Sequence, residues 1–575
     1  MEDDTLTAMP PHAFSPQGRR LALQAMATSP LDVLVVGGGI TGCGIARDAA
    51  LRGWRVALVD KDDFAFGTSS RSSKIVHGGV RYLEYGHFLL VRESARERRV
   101  LRTIAPHLVH RLDFLYPVFA PDSLLKIRAG LQVFDWLADS DEDDWHSVLD
   151  PAGVREWLPG LRDPLRGAVK YVEYITDDAR LTMENALSAA EHGALVANHA
   201  AAETLFRDSG GRVHGARVRD RFDDAVYEVR ARVVVNAGGP WAQEILEGSG
   251  LPVEKALRPS KGIHILLDHS RLPIEGATFL KSRSGRRGLA MRRLGYVYVG
   301  TSDDEYRGSL DAPRATRDEV LDLLAMVQDC FPDAGLTVDD VLATWAGIRP
   351  LIAEEGRSTR DTSREDEVWT GPAGLVTIAG GKLTTYRRMA ERALAEVRRE
   401  IGDPPDDVDR TMDVRLPGAP AGDIGAFNRD RAERLAEAGV GSETVKRLVW
   451  LYGRQLDDLI VYGEEDPAWL APLADGVPAL RGEVRHAVER EMACTLIDVM
   501  DRRTALLIFS PDSGLAGAAE AARIIGELLG WDQRRRDAEL AGYRTYAREH
   551  RVPPGNDRPG NDRPGNGRPG AGSAE

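Results

Sequence analysis

One stretch restricts the fold more than any other: Leu31 to Asp60, LDVLVVGGGITGCGIARDAALRGWRVALVD. An apolar, β-branched run (Leu31, Val33 to Val36) enters Gly37-Gly38-Gly39. A helical pattern (Ile45, Ala46, Ala49, Ala50) then leads to a second apolar run, Val56 to Val59. This is the pattern of a βαβ unit. Gly37, Gly39 and Gly42 form G-x-G-x-x-G at the strand-to-helix turn: one turns the chain, the next admits a pyrophosphate to the backbone, and the third lets helix and strand pack closely. The unpaired N–H groups of the helix N-terminus then face the phosphates. Asp60 ends the second strand at the spacing of an acid that binds the ribose hydroxyls of an adenine dinucleotide. NAD and FAD share that half, so this stretch alone leaves the choice open.

At 575 residues the length corresponds to about four domain equivalents. Cys43, Cys330 and Cys494 are too far apart for a disulfide framework or a zinc cluster, which points to a reducing compartment. The net charge of -14 argues against a nucleic-acid binder, which needs a basic surface to displace counterions. The acidic opening Met1-Glu2-Asp3-Asp4 is unlike a secretory signal, and no apolar run reaches 18 residues, so the expected location is cytoplasmic, or on a membrane without crossing it. Residues 1–30, with Pro10, Pro11, Pro16 and Pro30, read as a flexible leader.

After the βαβ unit, Asp63 to Glu84 (DFAFGTSSRSSKIVHGGVRYLE) is too polar and glycine-bearing for core. It reads either as a solvated serine-rich loop or as hydroxyls and N–H groups that wrap a pyrophosphate and a flavin ring. Later, ARVVVN (Ala231 to Asn236) runs into Ala237-Gly238-Gly239-Pro240-Trp241, as a strand stopping where backbone approaches a cofactor. Gly380-Gly381-Lys382-Leu383-Thr384-Thr385 precedes a helical pattern, Tyr386 to Arg399, and repeats the logic of a helix N-terminus aimed at polar cofactor atoms.

The segments GGGITGCGIARDAALRG, TSSRSSKIVHGGVRYLE, VVNAGGPW, KGIHI, GTSDDEY, GIRPL and GGKLTTYR occur in this order between residues 31 and 390. Together they resemble the FAD-dependent glycerol-3-phosphate dehydrogenases of the aerobic, respiratory type. The resemblance implies an α/β fold in which a Rossmann-like FAD-binding domain (31–411) is interleaved with an α+β substrate domain (roughly 85–170 and 250–370). It implies FAD as the cofactor, glycerol 3-phosphate as the substrate and a quinone as the electron acceptor. The cytoplasmic face of a membrane is the expected location, and a homodimer is compatible with it. As cofactor contacts it implies Gly37, Gly39, Ile40, Thr41, Gly42, Asp60 and Lys61; Thr68, Ser69, Ser70, Ser73, Lys74, His77, Gly78 and Gly79; Ala237 and Gly238; and Gly381, Lys382, Leu383 and Thr384.

A hydride leaving an alcohol carbon needs an acceptor, a base for the hydroxyl proton and a clamp on the rest of the substrate. Guanidinium forks suit a phosphate, and Arg349 and Arg364 stand where the resembled family holds its substrate, with Arg81, Tyr82 and Lys382 nearby. Arg360 rivals Arg364. For the base, His264 in KGIHI comes first and His77 second, with the alternative that a cation beside the hydroxyl lowers its pKa and leaves no single residue essential. Only 32 residues separate Arg349 from Lys382, which leaves no obvious room for the extra segment of the related oxygen-using oxidases. A glycerol-3-phosphate oxidase that uses oxygen, a flavin amine or amino-acid oxidase, and a non-catalytic flavin protein are the alternatives.

Outside the motifs, Ser123 to Ser140 predicts an amphipathic helix, facing the core or dipping into one lipid leaflet, and Asp141 to Asp144 reads as a solvated acidic loop. Leu289 to Gly300 reads as one strand, and Leu480 to Asp501 and Gly517 to Tyr546 read as long helices of a mainly helical C-terminal domain (412–550). Residues 551–575, with the repeat PGNDRPGNDRPGNGRPG, read as a disordered tail.

Overall fold

Two mixed sheets and a helical C-terminal region make up the computed structural model, which describes residues 13–80, 88–138, 141–353, 366–404, 406 and 408–553. The cofactor sheet is built on Leu31–Val36, which pairs in parallel with Val56–Val59 on one side and with Val226–Asn236 on the other. Val226–Asn236 pairs onward in parallel with Leu375–Gly380, and Val56–Val59 with Leu195–Ala197. The order thus reverses at Leu31–Val36, as a dinucleotide-binding sheet requires, and the carboxyl ends of the parallel strands open on one edge. Central strands buried on both faces need continuous apolar runs, and Val33, Val35, Val233 and Val235 are fully buried.

The substrate sheet runs through Leu257–Asp268, Tyr296–Gly300, Arg287–Arg293, Ala277–Lys281, His110–Phe119 and Leu165–Ile175, with Val341–Ile352 paired to Leu257–Asp268. Leu289 to Gly300 is a hairpin, not one strand: the chain turns at Leu294-Gly295, with Leu294 at φ 53, and Leu289 returns opposite Gly300. The strand Asp366–Thr370 pairs with Leu375–Gly380 and so belongs to the cofactor sheet, not to a substrate part ending near 370.

The leader is corrected over Pro16–Thr28, which is a helix. Its proline sits in the first turn, where the missing N–H costs nothing, and Ser15 caps it. Leu23 and Met26 are buried, and Arg19, 2% exposed, grips both oxygens of Asp220 at 2.9 and 2.7 Å. The acidic run is also more than a solvated loop, since Asp144 is buried and accepts from the Tyr174 hydroxyl (2.6 Å), Arg102 and Arg111.

The C-terminal region is helical but more broken than its periodicity predicts. Arg481–Arg490 stops short, and a separate π-helical turn, Asp498–Arg503, follows. The last two helices, Leu515–Leu529 and Gln533–Glu549, are separated by Gly530 in the left-handed region and Asp532, which caps the second. Arg551 to Pro553, read as the start of the tail, are placed: the Pro553 carbonyl accepts from Arg317, and Val552 packs against the substrate domain. The repeat itself, 554–575, lies outside the described residues.

Candidate active site

A cavity of about 340 Å³ opens at the carboxyl ends of the parallel strands, where the glycine turn, the serine loop and the Gly380-Gly381 turn converge. From the fingerprint, Gly37, Gly39, Ile40 and Thr41 line it. Gly39 is the N-cap of the helix Ile40–Leu51 and brings no side chain to its first turn; the Ile40 N–H donates instead to Ser69 Oγ at 2.9 Å. A Cβ on Gly39 would meet only Ser69 Oγ, at 3.1 Å, so the space in front of it is open to a ligand. Gly42 serves the fold, because a Cβ there would lie 1.8 Å from the Gly37 carbonyl oxygen. Gly37, at φ +112, passes so close to Ala237 that a Cβ would meet its carbonyl oxygen at 2.5 Å.

Asp60 lines the same cavity and accepts from the N–H groups of Gly38 (2.5 Å) and Asp62 (2.8 Å). Burial pushes its carboxyl up to about 7 in spite of those two donors. Next to it, Lys61 spans the Trp241 ring at 4.3 Å and pairs with Asp311, to which the indole N–H also donates at 2.9 Å. Thr68, Ser69, Ala237, Gly238, Gly381, Lys382 and Leu383 complete the expected cofactor wall. The sequence reading missed Phe66, Gly67 and Met389 in this wall. The sequence marks Gly67 only as a glycine within the loop, and its reason is tertiary: a Cβ there would meet the Trp241 ring at 2.7 Å.

Other expected contacts stand one layer behind the cavity. Lys74 is buried, and its ammonium is held by Asp178 and by the Ser70 carbonyl at 3.1 Å, so it serves as a structural cation. Ser70 is buried as well. At Gly78 a Cβ would meet the Phe134 ring at 2.5 Å, and its N–H donates to the buried Glu173. Gly79, at φ 86, completes that turn. The His77 N–H donates to Thr384 Oγ1 at 3.2 Å, which ties the HGG segment to the Lys382 turn. Arg81, Tyr82, Arg360 and Arg364 lie outside the described residues.

Arg349 is among the described cations at the cavity. It projects from Val341–Ile352 into the cavity wall, with its guanidinium across Gly262, where a Cβ would meet Nη2 at 2.4 Å. It donates to Thr301 Oγ1 (2.9 Å), the Ser302 carbonyl (3.2 Å) and Asp303 (3.3 Å). The glycine of KGIHI thus makes room for the arginine of GIRPL on the neighbouring strand. His264, two residues beyond Gly262 on the same strand face, is 2% exposed and outside the cavity lining. Its ring stacks on Trp345 at 4.7 Å, and Nε2 lies 2.8 Å from Ser73 Oγ. Burial, with Arg349 and Lys74 nearby, holds this imidazole well below its ordinary range, and therefore neutral.

Residues 32–387 match the family of FAD dependent oxidoreductases, and residues 409–536 match the C-terminal domain of alpha-glycerophosphate oxidase. The aerobic glycerol-3-phosphate dehydrogenase of Bacillus subtilis is 34% identical over 534 residues, covering 91% of this chain and 95% of the relative. The chain belongs to the FAD-dependent glycerol-3-phosphate dehydrogenase family. A family member from Mycobacterium leprae, a glycerol-3-phosphate dehydrogenase, is 38% identical over 548 residues, 93% of this chain and 91% of the relative. The FAD complex of the Bacillus halodurans glycerol-3-phosphate dehydrogenase superposes with a TM-score of 0.78 at 34% identity, over 93% of this chain and 98% of that one. As in this family, the cofactor is FAD. The cavity fits it: a fingerprint glycine with open space in front, a helix N-terminus for the phosphates and an acid at the end of the second strand.

Proposed function

We propose that the protein oxidises sn-glycerol 3-phosphate to dihydroxyacetone phosphate, with the electrons passed on to a quinone. The observation that carries this reading is the convergence of Arg349 and Lys382 on the cavity that holds the dinucleotide fingerprint. Two cations beside a flavin site suit a phosphate monoester, and the guanidinium can take two of its oxygens at once. FAD supplies the hydride acceptor. Arg349, fixed from behind by Thr301 and Asp303, orients the substrate by its phosphate, and Lys382 favours the alkoxide that forms as the hydroxyl proton passes to solvent water. His264, the base that the sequence suggests, has its ring packed on Trp345 and Nε2 at Ser73, a position that favours lowering of the hydroxyl pKa by the cations over a single essential base. The test is an anaerobic titration of the yellow holoenzyme. Glycerol 3-phosphate should bleach the flavin band, and a quinone analogue should restore it faster than air does. Bleaching by an amino acid but not by glycerol 3-phosphate would overturn the substrate, and faster recovery in air would overturn the acceptor.

A quinone acceptor requires access to a bilayer, and among the described residues no helix is long and apolar enough to cross one. The helix Leu124–Ala138 buries Leu131, Phe134 and Ala138 on one face and exposes Leu125 (74%) and Trp136 (78%) on another, beside the exposed Lys126 and Arg128. Phe88–Ile104, which packs against it, exposes Leu89 together with Arg92 and Arg96. Apolar side chains rimmed by cations suit insertion among anionic headgroups. Leu125→Glu combined with Trp136→Glu should abolish co-sedimentation with anionic phospholipid vesicles and leave bleaching by glycerol 3-phosphate unchanged. Equal sedimentation of wild type and variant would remove this helix from the membrane contact.

A further inference from the structure

The serine loop that walls the flavin site is tied down by a part of the chain more than 400 residues away. Asp63, at its start, is fully buried and takes Arg502 Nε at 2.7 Å and both terminal nitrogens of Arg503 at 2.7 and 2.9 Å. Arg71, at its end, is buried and forms a bidentate pair with Asp501 at 3.2 and 2.7 Å. Tyr546, on the last helix, bonds both partners through its hydroxyl, at 2.9 Å to Asp501. Both ends of the loop are therefore held by consecutive residues of one π-helical turn, Asp498–Arg503. Between the two anchors lie Phe66, Gly67, Thr68 and Ser69, all of which line the cavity.

The same turn closes a wider network. Arg502 also reaches Asp498 at 2.8 Å, and Asp498 lies 3.0 Å from His199 Nε2. Asp63, His199 and Asp498 bring potential metal-ligand atoms within 4.8 Å of one another. Arg502 and Arg503 already supply the counter-charge there, so the cluster is an ion network in the protein's own right. Buried charges of this kind hold geometry well, because removing one partner leaves the other charged and desolvated. Irregular π-helical turns recur at functional sites because they allow side-chain spacings that an α-helix does not.

We propose that the helical C-terminal domain is a positioning element for the cofactor, with the turn Asp498–Arg503 and Tyr546 clamping both ends of loop 63–71 so that its middle forms the flavin wall. Asp501, Arg502, Arg503 and Tyr546 are positioning residues: they do not line the FAD cavity, but act through Asp63 and Arg71. The domain thus controls how long FAD stays bound.

The test measures FAD release from the full-length holoenzyme, read as the rise of free-flavin fluorescence after dilution, well below each variant's melting temperature. Asp501→Asn keeps the side-chain shape but leaves Arg71 without its counter-ion, and should release FAD roughly tenfold faster or more. Tyr546→Phe removes a single hydroxyl, is the variant more certain to fold, and should release FAD a few-fold faster. Leu459→Ala is the control: Leu459 is fully buried in a C-terminal cluster that contains no residue of the loop or of the turn Asp498–Arg503. It should lower the melting temperature and leave FAD release at the wild-type rate. If Asp501→Asn and Tyr546→Phe release FAD no faster than Leu459→Ala at the same interval below melting, the clamp is only structural and the proposal falls.

Discussion

Gly39→Val is expected to yield folded, colourless protein. Gly39 has φ -76, which any residue adopts, so valine meets no backbone strain there. Its Cβ would meet only Ser69 Oγ, at 3.1 Å, and a small rotation of that hydroxyl relieves the contact. The branched methyls would extend into the cavity in front of the helix N-terminus, where the pyrophosphate must approach the backbone. The neighbouring glycines behave differently, because a side chain on Gly37 or Gly42 would collide with backbone and break the turn itself. Gly39→Val therefore separates cofactor space from fold. The measurements are the ratio of flavin to protein absorbance and the far-ultraviolet circular dichroism of the same sample. A native spectrum with almost no flavin is the expected pair; full flavin occupancy would show that the cofactor does not pass in front of Gly39.

Arg349→Lys should lower kcat/KM for glycerol 3-phosphate by roughly 2 to 4 kcal/mol, because lysine keeps the charge but loses the planar fork. The guanidinium lies flat across Gly262 and is braced by Thr301, Ser302 and Asp303, so its orientation is set before substrate arrives. An ammonium carries its three donors on one nitrogen, so it cannot keep the braces to Thr301, Ser302 and Asp303 and also present two parallel N–H groups to a phosphate. Glycerol lacks the phosphate, and its slow turnover should change much less in the same variant. Comparing the two substrates at equal flavin occupancy removes the part of the loss that comes from a disturbed Asp303 network, since that part affects both alike. Equal proportional losses would make Arg349 a structural residue.

The glycine turn, the acid at the end of the second strand and the Gly380-Gly381 turn were legible from sequence because each is a short-range requirement. A tight turn at a strand's end or a backbone that must approach a phosphate constrains residues within a few positions of one another, and glycine is often the only solution. For the same reason Arg349 stands out in the sequence while its seat does not. Arg349 stood in a motif, but the role of Gly262 exists only because two strands distant in sequence pair in register, with Gly262 opposite Gly347. His264 shows the other limit. Its residue type suggested a base, and only packing could reveal that Trp345 covers its ring and Ser73 meets its nitrogen.

By itself the sequence determined the cofactor class, the Rossmann-like half of the fold and the helical character of the last third. Tertiary structure alone decided that the helix Pro16–Thr28 is pinned through Arg19 to Asp220, that Lys74 and Gly78 serve packing, and that the serine loop is held from Asp501, Arg502 and Arg503. The physical reason is sequence distance. A buried ion pair needs only a charge of the right sign at the right point in space, and charged residues are abundant along the chain. No local pattern distinguishes the arginine that will be buried against Asp63 from one that will face water. The fold makes that selection, when the helical C-terminal region docks on the cofactor domain and brings Asp63 and Arg503 within 2.7 Å of each other.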